Sequence, residues 1–135
     1  MKLSYVVLLS DDVPAAVRFW QEVMRLPLTF RDDTNDFAAF DTGSAGLTLS
    51  IYSRSGLTTL LGEASPAPVG RQMYLSFPVD DVDSAYSDLV ERGATPIATP
   101  RDVAVQQARL AHFNSPDGHI IEIAGPMRGP TAPTV

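Results

Sequence analysis

The chain has no cysteine among its 135 residues. That excludes a disulfide scaffold, a thiolate metal site and a cysteine nucleophile. It has only two histidines, so no site with three histidine ligands can form. Basic residues are scarce: Lys and Arg total 10 against 16 Asp and Glu, a net charge of −6. A surface of that sign repels a phosphate backbone, so no nucleic-acid partner is expected. No stretch approaches the ~20 apolar residues of a membrane span, and no membrane partner is expected either. The opening residues Met1 to Ser10 hold too short an apolar run for a signal peptide. A cytoplasmic protein is the expectation. Neither a phosphate-binding loop, a dinucleotide glycine fingerprint nor a nucleophile elbow is present.

What remains is ordinary globular composition, 44% hydrophobic and 19% charged. A chain of this length buries a core without staples. Its organisation shows as a repeat. Tyr5-Val-Val-Leu-Leu-Ser-Asp11 is followed by Asp-Val-Pro-Ala-Ala, and Tyr74-Leu-Ser-Phe-Pro-Val-Asp80 by Asp-Val-Asp-Ser-Ala. Each copy reads as a strand, a capping aspartate pair and a helix. The first helix is predicted over Pro14–Arg25, with Ala16, Phe19, Trp20, Val23 and Met24 on its apolar face and Pro27 beyond its end. The second is predicted over Asp83–Arg92 and closed by Gly93. Three strands follow each helix. They are predicted near Leu28–Arg31, Phe37–Asp41 and Leu47–Tyr52, then near Thr95–Ala98, Ala108–Phe113 and His119–Ala124.

The predicted fold class is therefore α+β: two βαβββ modules, about 1–52 and 72–125, forming a cupped mixed sheet with helices on the outside. Residues 53–71 read as a linker with a helical turn at Leu57–Leu61. Thr99–Gln107 reads as a mobile flap, and 126–135 as a disordered tail. Alternation along the strands divides each into a helix-facing apolar set and a polar set. Tyr5, Thr48, Ser50, Tyr52, Tyr74, Ser76 and Glu122 make up the polar set, expected to line the cup. Matching the halves pairs Tyr5 with Tyr74 and Ser50 with Glu122. A buried Glu122 needs hydrogen-bond partners, with Tyr5, Tyr74 or Ser50 as candidates. Glu122 is also the best catalytic candidate, as a base. His112 is a further pocket candidate whose face depends on an unfixed register. His119 is expected to be structural, and Trp20 to pack in the core.

The run Phe113-Asn-Ser-Pro-Asp-Gly-His-Ile-Ile-Glu-Ile123 resembles the ending of the vicinal oxygen chelate superfamily, F-x-D-P-D-G-x-x-I-E-L. That superfamily includes glyoxalases, extradiol dioxygenases and bleomycin-type resistance proteins, and the doubled strand–Asp-Asp-Val–helix opening is similar too. The resemblance covers about residues 1–125. It implies a divalent-metal site with ligands on the first and last strands of each half. In this sequence those positions fall on Tyr5, Ser50 (or Thr48 in the alternative register), Tyr74 and Glu122, and only Glu122 is of a usual ligand type. A protonated tyrosine or a serine is a weak ligand for a hard cation.

The first functional reading is thus metal-independent binding of a small planar or amphipathic molecule, in the manner of a drug-sequestering resistance protein. Its ligand contacts would be Tyr5, Ser50, Tyr52, Tyr74, His112 and Glu122. The alternative is a lyase, isomerase or dioxygenase that depends on a divalent metal. No cofactor is expected beyond a weakly held divalent metal. The resemblance also implies a homodimer.

Overall fold

A strand that feeds a helix through a capping aspartate opens each half. The computed structural model describes residues 1–62 and 73–129, which fall into two compact units, Met1–Gly70 and Arg71–Val135. In the first, β1 (Tyr5–Ser10) reaches Asp12, whose carboxylate accepts from the Ala15 amide at 3.2 Å and caps α1 (Val13–Arg18). Pro14 sits in the first turn, where its missing N–H costs nothing.

The helix predicted to continue to Arg25 widens instead into a π-helical turn over Phe19–Val23. The Met24 amide bonds back to Phe19 and the Leu26 amide to Trp20, both at 3.0 Å, while Arg25 takes a left-handed φ of 59°. Adjacent Phe19 and Trp20 are both buried, with rings edge-to-face at 5.4 Å. β2 (Leu28–Arg31), β3 (Phe37–Asp41), β4 (Thr48–Ser53) and α2 (Arg54–Leu61) complete the unit. The expected turn at Leu57–Leu61 is thus the end of a longer helix. Ser53 starts it by accepting from the Gly56 amide at 2.8 Å. The rest of the predicted linker, 63–71, lies outside the described residues.

The second unit repeats the plan. β5 (Tyr74–Pro78) leads to Asp81, which caps α3 (Val82–Glu91) through the Ser84 amide at 3.1 Å. β6 (Thr95–Val103), β7 (Ala108–Asn114) and β8 (Ile120–Gly125) follow. The strand orders are β1-β4-β3-β2 and β5-β8-β7-β6, with the first pair parallel and the others antiparallel in each sheet. Both modules are therefore βαβββ, and the architecture is α+β. No helix among the described residues is long and apolar enough to cross a membrane.

Each sheet buries one face under its own helix. Leu8, Ala38, Phe40, Leu49 and Ile51 pack in the first core with Ala16, Val17 and Trp20. Ala111, Phe113, Ile121 and Ile123 do so in the second with Val82 and Leu89, and Tyr86 lies 5.3 Å from the Phe113 ring. The alternate residues of the same strands form the other face, and every candidate site residue lies there.

Two expectations fail in the second unit. The predicted flap at Thr99–Gln107 is mostly strand. β6 continues to Val103, pairing Arg101 with Leu110 and Asp102 with Arg109, before a 3-10 turn at Ala104–Gln106. Pro96 and Pro100 are tolerated because β6 is the sheet edge, and register shifts absorb the misfit.

The start of the predicted disordered tail, 126–129, is also held. Asp102 accepts from the Arg128 amide at 3.1 Å and the Gly129 amide at 2.8 Å. Arg109 bridges Asp83 (2.7 and 3.0 Å) to Asp102 (3.2 Å). Residues 130–135 lie outside the described residues. Gly125 must be glycine at the exit from β8, because a Cβ there would stand 2.6 Å from the Val79 carbonyl oxygen.

This clamp makes stability depend on acid. The Gly129 and Arg128 amides hold the Asp102 carboxyl below its ordinary value of 3.8, and the hydrogen bond from Arg109 does the same for Asp83. A depressed carboxyl contributes stability above its unfolded pKa and loses it as pH falls towards its folded one. Urea midpoints measured from pH 7 downward are expected to fall below about pH 4. In Asp102→Asn the midpoint should start lower at pH 7 and fall less steeply. An unchanged acid slope in that variant contradicts the assignment.

Candidate functional site

In β8 the pleat sends Ile121 and Ile123 to the helix side and Glu122 to the other face, where it is 5% exposed. A carboxylate buried that far requires donors. Its neighbours across the sheet supply them. Ser76 is its partner on β5 and His112 its partner on β7. The Ser76 hydroxyl donates to Oε1 at 2.7 Å, and His112 Nε2 lies 2.9 Å from Oε2. One donor therefore sits on each carboxylate oxygen. The partners expected from the sequence were Tyr5, Tyr74 or Ser50; the described ones are Ser76 and His112.

The row continues to the sheet edge. Arg101 Nη2 donates to His112 Nδ1 at 3.2 Å. A guanidinium only donates, so Nδ1 must be the accepting nitrogen and Nε2 must carry the proton. That proton points at Glu122. Arg101, His112, Glu122 and Ser76 thus form one continuous hydrogen-bonded row across the sheet. Tyr74 meets His112 edge-on, with ring centroids 6.4 Å apart at 87°, and remains half exposed. Of the six sequence candidates, Tyr74, His112 and Glu122 share this face of the second unit.

Tyr5, Ser50 and Tyr52 share the corresponding face of the first. There the position equivalent to Glu122 is Ser50, flanked by Val7 and Ala39. The Ser50 hydroxyl is fully buried and, among the described residues, has no hydrogen-bond partner. Tyr5 pairs with Thr48 and is mostly exposed. Tyr52 spends its hydroxyl on the Gly56 carbonyl at 3.2 Å. Its ring ends a row with Phe37 (5.8 Å) and Phe30 (6.0 Å from Phe37). The sequence reading missed Phe30, Phe37 and Arg101. Strand alternation applied to β2 and β3 would have found the two phenylalanines. Arg101 lay in a stretch read as a flap.

The donor set does not fit a tightly held metal. Among the described residues no three His, Cys, Asp or Glu side chains are grouped to hold one. Both His112 nitrogens are engaged, one with Glu122 and one with Arg101. A catalytic zinc-type site takes about three protein ligands; here one carboxylate and one imidazole, bonded to each other, stand among hydroxyls and aromatic rings.

Comparison with known proteins agrees on the fold. The model of the Glyoxalase/Bleomycin resistance protein/Dioxygenase superfamily matches residues 2–123. An uncharacterized protein of Bacillus subtilis, YraH, is 34% identical over 126 residues, covering 91% of this chain and 97% of its own. A glyoxalase/bleomycin resistance protein/dioxygenase from Nocardioides has a TM-score of 0.80 at 23% identity, covering all of this chain and 89% of that one. A lactoylglutathione lyase from Agrobacterium tumefaciens has a TM-score of 0.71 at 14% identity, covering 92% of each chain. At such identities these structures speak for the fold alone.

Nitrogen NMR of the His112 ring tests the row. In its neutral form the ring is expected to carry its proton on Nε2, with Nδ1 bare. A proton on Nδ1 would contradict the assignment.

Proposed function

The chain belongs to the Glyoxalase/Bleomycin resistance protein/Dioxygenase superfamily, and from that membership we propose that it binds a small planar or amphipathic molecule without a metal. The observation that carries this reading is the engagement of Glu122. The acidic position that the family resemblance links to metal is bonded on both oxygens by Ser76 and His112. The other linked positions are Tyr5, Ser50 and Tyr74. Hydroxyls and rings recognise flat molecules by stacking and hydrogen bonding. The half-exposed Tyr74 ring beside the His112–Glu122 pair gives the second unit a face of that kind. The aromatic row Phe30–Phe37–Tyr52 gives the first unit another.

Glu122 acts here as a polar anchor that orients His112, and its catalytic role as a base is not needed. Sequestration of a drug-like compound, the role implied by the resistance branch of the superfamily, requires only such a face. The metal-dependent lyase, isomerase or dioxygenase reading rests on the retention of Glu122 at a ligand position and stands as the alternative outcome.

Calorimetric titration of chelator-treated protein with a panel of planar aromatic compounds distinguishes the two. Binding is expected without metal. Tyr74→Ala should weaken it about two- to tenfold, the effect of losing one aromatic contact of about 0.5–1.5 kcal/mol. Failure of every compound to bind, with turnover appearing only on addition of zinc, nickel, manganese or iron, would sink the proposal.

A further inference from the structure

We propose that Arg101 is the seat for an anionic group of the ligand, and that the ligand class is therefore a small planar carboxylic acid. This deepens the metal-independent binding reading above and rests on it.

Three observations support the assignment. The first is placement. Arg101 pairs with Leu110, and Leu110 and His112 lie on the face of β7 that carries the Glu122 partner. The guanidinium thus stands at the edge of the same face, one imidazole ring away from the buried carboxylate.

The second is its unmatched charge. Nη1 donates to the carbonyls of Thr99 at 3.4 Å and Leu110 at 3.3 Å, and Nη2 to His112 Nδ1 at 3.2 Å. All three acceptors are neutral and all three contacts are long. Among the described residues no carboxylate pairs with Arg101, whereas Arg54 has one and Arg109 and Arg128 have two each. Nε and the second hydrogen of Nη2 donate to no described acceptor. The next acidic residue along the strand, Asp102, is committed to Arg109 and the amides of Arg128 and Gly129.

The third is rigidity with access. The three neutral contacts hold the planar head in place while the residue stays exposed. A pre-oriented guanidinium fork with free donors matches a carboxylate, which accepts two parallel N–H bonds. A lone cation suits a monoanion. A carboxylate on Arg101 would place an attached flat ring over His112 and towards the edge of Tyr74. Glu122, already bonded at both oxygens, lies on the far side of the imidazole and does not compete for the guanidinium.

The test uses 2-naphthoate and its neutral isostere 2-naphthamide, titrated calorimetrically into the full chain with chelator present. Wild type is expected to bind the acid roughly tenfold or more tightly than the amide, as suits a charge-assisted hydrogen-bonded pair. Arg101→Gln should erase that preference by weakening the acid alone. Arg101→Lys should keep part of it. The amide is the internal control: if both compounds weaken together in Arg101→Gln, the residue only positions His112 and the proposal is overturned. Equal wild-type affinities for acid and amide overturn it while leaving metal-independent binding intact. If neither compound nor any other planar probe binds, both readings fall.

Discussion

A carboxylate buried on the open face of a sheet constrains everything around it. Glu122 reaches that position because β8 alternates, and Ile121 and Ile123 are needed in the core. Left unpaired, it would carry the desolvation cost of a buried charge, several kcal/mol in order of magnitude. The sheet register removes that cost by placing one donor on each side, Ser76 on β5 and His112 on β7. The bond to Glu122 and the bond from Arg101 then leave His112 one tautomer. Four side chains on four adjacent strands thus act as one row, and each depends on a register set by the hydrophobic cores behind it.

The first unit shows the same frame without the charge. Its equivalent row is Val7–Ser50–Ala39, and no carboxylate is present. The two copies of one topology thus differ on the face away from the helices, while both bury an apolar face under their own helix. The superfamily fold constrains which strand positions face away from the helices. It does not dictate the chemistry placed there. In this chain the second unit carries a hydrogen-bonded row around Glu122 and the first an aromatic one, and among the described residues no three His, Cys, Asp or Glu side chains are grouped on either.

Much of this was legible in the sequence because it follows from local rules. The capping aspartates, the strands Leu28–Arg31 and Phe37–Asp41, and the outward face of Glu122 come from side-chain hydrogen bonding and period-two alternation. What was not legible depends on pairing between distant strands. His112 could be assigned a face only once its alignment with Glu122 was known. Arg101 was hidden because Pro100 and two register shifts make β6 look like a loop, although an edge strand tolerates both. The π-helical turn at Phe19–Val23 leaves no pattern that an ordinary apolar stripe would not also leave. The hold on 126–129 comes from Asp102, more than twenty residues earlier in the chain.

The central claim is that Glu122 is engaged by Ser76 and His112 and holds no metal. Elemental analysis of the full chain tests it most directly, after saturation with zinc, nickel, manganese or iron(II) and removal of the unbound ion by gel filtration. The account predicts far less than one metal per chain, with no difference between wild type and Glu122→Gln. One metal retained per wild-type chain and lost in Glu122→Gln would contradict it.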